Sequence, residues 1–440
     1  MTTEVSIMNT QAVALAADSA VTVTIGPNGA HKVYNSVNKL FALSKYEPVG
    51  IMIYGSASYM SIPWETIIKT YRKILSSTKR DKLEQYLADF LGHIKSLVED
   101  SQDLNTIEAQ YIEGFIRSFY VRLNDYFTEA TSNLSHDQIS KQLSELFDTS
   151  FEKAIDSIAT SICTYDSLDS MESNNAVSKL DHNSVQVDHL IDGVFQNWKS
   201  FLNLERRQRI IKLCAEAAPK EPPYSGSESG IVIAGFGDKE IFPAQVETRI
   251  EGFLFGCLKH TPIQATNISE KNTASITPFA QGDVIASFMN GMASELYHAV
   301  GGLMSHFTEN EVPDQLVKAM QEEALSPDVI DRINRKIKKA GIDFIETSQA
   351  YLADKMDNEH SGPIVSAVGF LPKEEIAQLA ESLVNLTSVR RRMSTSSETV
   401  GGPVDVAIIS KGDGFIWIKR KHYFEPELNN HFFSNYYRDE

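Results

Sequence analysis

Between Thr3 and Ile25 small and β-branched residues form two runs, split by a polar stretch at Asn9 to Gln11, a pattern that predicts a β-hairpin at the start of the chain. Gly26-Pro27-Asn28-Gly29 is a second turn signal, and Lys39 to Leu43 with Val49 to Tyr54 predicts another strand pair around Tyr46-Glu47-Pro48. Four strands are expected before any helix. From Trp64 to about Ala218 the period becomes helical, as in Leu83, Tyr86, Leu87, Phe90 and Leu91, and again in Ile112, Phe115, Ile116, Phe119 and Tyr120. Several amphipathic helices follow from this, joined by polar segments near Thr131 to Ser135 and Ser170 to Ser178. Aromatic stripes at such spacing are read as packing surface rather than as ligand sites.

Strand character returns after Pro222-Pro223, at Ile231 to Ala234, Ala244 to Gly252 and Ser275 to Phe279. One helix is expected from Asp283 to about Phe307, another from Asp314 to Ala353. Pro372 then opens an amphipathic helix with Ile376, Leu379, Ala380, Leu383 and Leu386 on one face. Val404 to Ser410 and Phe415 to Lys419 make a closing hairpin across Lys411 to Gly414. Strands and helices in segregated runs predict an α+β layered fold rather than a doubly wound parallel sheet.

Composition narrows the function classes. The 440 residues carry 41 Lys and Arg against 58 Asp and Glu, a net charge of −17, and the one basic run is Arg390-Arg391-Arg392, read as a solvated helix end. A nucleic-acid binder needs an excess of positive charge, so none is expected. No stretch reaches the roughly 18 apolar residues of a membrane span, and no export signal opens the chain. A membrane protein is not expected; a cytoplasmic one is. Cys163, Cys214 and Cys257 contain no Cys-x-x-Cys and are odd in number, which points to neither a disulfide framework nor a zinc-thiolate site. His182 and His189 near Asp181 and Asp188 lack the i, i+4 spacing of a helical metal site. Gly26 to Gly29 with Lys32 lacks the Gly-Lys-Ser/Thr ending of a phosphate loop.

The chemistry lies at the N-terminus. Removal of Met1 before the small Thr2 leaves a hydroxyl beside a free α-amine, which titrates near pH 8 and serves as the base for its own nucleophile. Thr2-Thr3 is followed by Ala16-Ala17-Asp18-Ser19, then Lys32, then Gly55-Ser56-Ala57. In that order and spacing the sequence resembles the proteasome β-subunit family of N-terminal nucleophile hydrolases. Ile231 to Gly237 resembles the family's central strand. Ala280-Gln281-Gly282-Asp283, with Ala286, stands where the family has Gly-Ser-Gly-Ser. Val400-Gly401-Gly402 stands where it has Ser-Gly-Gly, with Ser397 or Glu398 in place of an aspartate.

The resemblance implies roles for these residues. Thr2 is the nucleophile, Lys32 the cation that lowers its proton affinity, Asp18 the partner of that lysine, and the Gly55 N–H the oxyanion donor. Gln281, Glu398 or Thr399 stand in for the polar groups that support the threonine amine. The implied fold is a four-layer αββα sandwich over residues 2–63 and 230–440, with extra helices at about 301–371 and a large helical layer and insertion at 64–229. The implied activity is hydrolysis of peptide bonds in a peptide or protein substrate through an acyl-enzyme, with no cofactor or metal. A homo-oligomer and an ATP-dependent unfoldase partner are implied with it. Two other readings remain: a non-catalytic proteasome-like scaffold or assembly protein acting through its helical insertion, and an amidase for a small molecule. The aromatic tail through Phe424, Phe432 and Tyr436 is read as a core or subunit contact.

Overall fold

A computed structural model describes residues 3–25, 30–99, 104–165, 184–220, 228–254, 256–393, 401–422 and 424–437. Thr2, Glu398, Thr399, His182 and the turn at Gly26 to Gly29 lie outside the described residues.

Among the described residues eight strands, not four, precede the first helix. They are β1 (Thr3–Asn9), β2 (Ala12–Ala17), β3 (Val21–Ile25), β4 (Ala30–Tyr34), β5 (Leu40–Ala42), β6 (Val49–Gly55), β7 (Ser58–Tyr59) and β8 (Ile62–Pro63). The apolar run from Ala12 to Ile25 divides at Asp18-Ser19-Ala20, because hydrogen bonds of Asp18 and Ser19 draw the chain out of the ladder. β7 and β8 are too short to show a period.

Among the described residues six α-helices follow: α1 (Trp64–Leu75), α2 (Leu83–Glu99), α3 (Leu104–Thr131), α4 (His136–Thr164), α5 (Ser184–Val194) and α6 (Leu204–Ala217). Then come β9 (Ser229–Gly235), β10 (Ala244–Leu254), β11 (Cys257–Asn267) and β12 (Ala274–Ala280). The strand β11 was not expected, since Pro262 interrupts it; it lies at a sheet edge, where a missing N–H is tolerated.

The helix expected over Asp283 to Phe307 is two, α7 (Asp283–Asn290) and α8 (Ser294–His306), because Gly291 ends the first in the left-handed conformation with φ 72°. The next expected helix is likewise two, α9 (Val312–Glu322) and α10 (Pro327–Met356). The chain continues with α11 (Gly362–Val368), α12 (Lys373–Arg392), β13 (Asp405–Ser410), β14 (Gly414–Lys419) and α13 (Asn430–Tyr437).

The architecture is α+β with two five-stranded sheets, in the orders β12-β1-β2-β13-β14 and β11-β10-β9-β6-β5. The β1 pairings with β2 and β12, and those linking β5, β6, β9, β10 and β11, are all antiparallel. The chain forms two compact units: residues 1–36, 268–408 and 416–440, and residues 37–267 with 409–415.

In the first unit Val5 and Ile7 of β1, with Ala12, Ala14 and Ala16 of β2, form one core with Ile376, Ala377, Ala380, Leu383 and Val384 of α12. Alanine on both partners lets helix and sheet approach closely, and each buried methylene contributes about 0.8 kcal/mol. Leu386 departs from the expected apolar face: the buried face of α12 continues through Val384 and Thr387, and Leu386 is 38 % exposed.

In the second unit β9 is the central strand of its sheet, and Ile51, Ile53, Ile231, Ile233 and Val246 pack with Tyr71 of α1 and with Tyr86 and Phe90 of α2. A second core, among α3, α4, α5 and α6, gathers Phe115, Phe119, Phe147, Phe151 and Phe195. The aromatic stripes are packing surface.

Candidate functional site

The start of β1 is held between two strand ends, with Thr3 opposite Ala280 of β12 and Glu4 opposite Ala17 of β2. Just beyond β2 the buried Asp18 carboxylate turns back onto backbone donors. Its Oδ1 accepts from Thr3 N at 3.1 Å, and its Oδ2 accepts from Gly401 N at 3.1 Å and Ala20 N at 3.3 Å. A carboxylate in this position is tolerated because N–H groups replace the lost water. Ser19 completes the clasp: its N donates to Gly401 O at 3.2 Å and its hydroxyl to Pro403 O at 2.5 Å. Gly402 has φ +76°, and a Cβ there would stand 2.9 Å from that of Asn35, so the clasp requires glycine. Two motifs at opposite ends of the sequence are thereby joined.

A third joins them. Ala280 adopts φ +61°, uncommon for a residue with a side chain, and the turn it opens is gripped by Arg391 from the last turn of α12. Arg391 Nε donates to Gln281 Oε1 at 2.9 Å while its Nη2 pairs with Asp283. The amide of Gln281 is thus fixed close to the start of β1. Arg391 was not foreseen as a site residue, since an arginine run at a helix end carries no sign of what it will face.

Lys32 lies on a separate two-stranded hairpin. It is exposed on β4, in the hairpin with β3, and its ammonium lies 5.0 Å from the centre of the Tyr34 ring. The described contacts bring Asp18, Thr3, Gln281 and Gly401 together and leave Lys32 over Tyr34.

Gly55 belongs to the second unit, where it ends β6 opposite Ser229 with φ +83°. A Cβ there would lie 2.5 Å from Glu228 O, the atom that accepts Ser56 N at 3.0 Å. Next to it the Tyr54 hydroxyl donates to Glu247, and the Tyr54 ring fills the space that a side chain on Gly230 would take.

A buried charge cluster in the same unit escaped sequence reading. Lys259 Nζ lies 2.6 Å from Glu251 Oε2 and 3.0 Å from the Tyr111 hydroxyl, with both charged side chains almost fully enclosed. Burial pulls the Lys259 proton affinity down, and Glu251 opposes that shift. Burial also pushes the Cys214 thiol up to about 12, so it is protonated and inert at neutral pH. The available signal was the polar alternation Gln245, Glu247, Arg249, Glu251 along β10. Among the described residues no group of three metal-ligating side chains occurs, and no helix is long and apolar enough to cross a membrane.

No protein-family model matches the chain, and no curated protein matches it. Among solved structures it is similar to the Gly-1 mutant of Anbu from Hyphomicrobium sp. strain MC1, at 8% identity and a TM-score of 0.26, over 99% of this chain and 94% of that one. A superposition that loose fixes neither fold nor activity.

Proposed function

We propose that this chain is a proteasome-like protein that serves as an assembly or regulatory scaffold through its added helices. The observation that carries this reading is on α8, which has no buried residue: its Leu296, Val300 and Leu303, with Phe307 just past its end, are 54 %, 36 %, 69 % and 52 % exposed. Their spacing of four, three and four residues puts them on one helical face, and an apolar face kept in solvent is a mark of protein association. The kinship rests on the ordered sequence motifs, and the four-layer αββα arrangement belongs to the same proposal.

A threonine hydrolase is the second reading, favoured by the convergence of Asp18, Gln281 and Gly401 on the start of β1. In it Thr2, freed of Met1, attacks a peptide carbonyl, the Gly55 N–H receives the oxyanion, and water activated by the Thr2 amine releases the acyl group. In this reading Lys32 lowers the proton affinity of the Thr2 hydroxyl, and Asp18 is its partner. Glu398 or Thr399 contributes to holding the amine, and an ATP-dependent unfoldase belongs to this reading alone.

Two measurements on one preparation decide between them. Mass photometry of the wild type and of Leu296→Glu with Leu303→Glu tests the scaffold: an assembly that the acidic pair dissolves supports it, and an unchanged mass distribution removes it. Intact mass after incubation with an electrophilic β-lactone, with Thr2→Ala as control, tests the hydrolase. Loss of Met1 with a single adduct absent from the control establishes the nucleophile; no adduct sinks it.

A further inference from the structure

A groove of about 780 Å³ opens between α7 and the C-terminal turn of α12, three residues beyond the Ala280 that pairs with Thr3. Its apolar part is Val284 and Phe288 from α7 with Leu386 and Met393 from the end of α12. Phe288 is 50 % exposed and Met393 81 %, so these side chains present apolar surface rather than filling a core. This also places Leu386, displaced from the buried face of its helix, in a definite setting. The size falls within the range of small-ligand sites.

The polar part identifies the guest. Arg391 is taken up by Gln281 and Asp283, which leaves Arg390 as the cation facing the groove. The carboxylates of Asp283 and Glu295 also line it. Asp283 is offset by Arg391, so the charges left on the groove are one cation, Arg390, and one carboxylate, Glu295, a pairing that disfavours polyanions such as nucleotides. Glu295 also accepts hydrogen bonds, so the groove suits a guest that carries an N–H donor as well as one negative charge. A fatty acid has the charge and the apolar tail but no N–H.

We propose that this groove binds the C-terminal end of a short peptide: an apolar last side chain against Phe288, Leu386 and Met393, its α-carboxylate on Arg390, and a backbone N–H on Glu295. The site goes beyond the scaffold reading and does not require Thr2 to be a nucleophile.

The test is calorimetric titration of the full chain with acetyl-Ala-Leu-Phe bearing a free carboxylate, with the same tripeptide as its C-terminal amide, and with decanoate. The free acid is expected to bind and the amide to bind about tenfold more weakly, the effect of losing one charge-assisted contact. Arg390→Ala should abolish the difference between acid and amide, and Phe288→Ser should weaken both. Both positions are exposed, and circular dichroism confirms that the variants are folded. Equal binding of acid and amide, no binding at millimolar peptide, or an Arg390→Ala variant that keeps the difference overturns the proposal. Decanoate binding as tightly as the peptide overturns it in favour of a lipid acid. β-Lactone labelling of Thr2 on the same samples reports separately on the hydrolase reading, so either can fail without the other.

Discussion

Asp18 Oδ1 lies 3.1 Å from the backbone nitrogen of Thr3, and the other oxygen of the same carboxylate lies 3.1 Å from that of Gly401. One buried anion therefore fixes the first residue of β1 against the loop that leads into β13. Asp18→Asn keeps one acceptor oxygen and turns an N–H donor towards the remaining amides. We expect a loss of about 3 kcal/mol, two charge-assisted bonds at roughly 1.5 kcal/mol each, in urea unfolding. A loss below about 0.5 kcal/mol would show that the clasp contributes no stability.

Lys32→Ala should behave differently. An exposed cation over an exposed ring is worth about 0.5–1 kcal/mol, so stability should change by less than about 1 kcal/mol in the same urea series. A larger loss would place the ammonium on a structural anion. If the variant alone loses Thr2 labelling, the hydrolase reading gains its cation.

Lys259→Met strands Glu251 in the interior. Breaking one side of a buried pair costs about 3–5 kcal/mol, whereas replacing both partners by apolar residues is often close to neutral. Lys259→Met combined with Glu251→Leu should therefore recover most of the loss, as read by thermal unfolding. Equal damage from the single and double variants would mean that Glu251 has no need of Lys259.

Burial lowers the proton affinity of His93 and His260, and His93 Nε2 and His260 Nδ1 are enclosed without hydrogen-bond partners. In the unfolded chain both titrate near pH 6.5, so below that pH the unfolded state binds more protons than the folded one. Their stabilising effect is complete above pH 6.5 and is lost as pH falls towards their depressed folded values. His93→Phe, which can keep the packing against Tyr71, should flatten the fall in stability between pH 6.5 and pH 5. An unaltered pH profile would assign the acid sensitivity to other groups.

Gly55 and Gly256 both have positive φ, yet only Gly55 faces an obstruction, Glu228 O at 2.5 Å from a built Cβ; Gly256 opens on empty space. Gly256→Ala should cost about 1–2 kcal/mol from backbone strain alone. Gly55→Ala should cost clearly more, because the Glu228 carbonyl must also move. Comparable losses in thermal unfolding would contradict the close approach.

The sequence by itself determined the local elements and the α+β class. Strand and helix periods are written into neighbouring residues, which is why β1, β2, β6, β9 and the buried face of α2 were legible. Gly55 and Gly402 were singled out through the family resemblance of their motifs and not through any period. Tertiary structure alone decided what those elements meet. Nothing local to Asp18 says that Gly401 will supply an N–H, nothing in Arg390-Arg391-Arg392 says that the middle guanidinium will hold Gln281, and nothing in the order of Asp18 and Lys32 says that the lysine will rest on Tyr34. Those outcomes depend on hydrogen bonds and charges satisfied across long stretches of chain, and their partners are chosen only when the sheets and helices close around them.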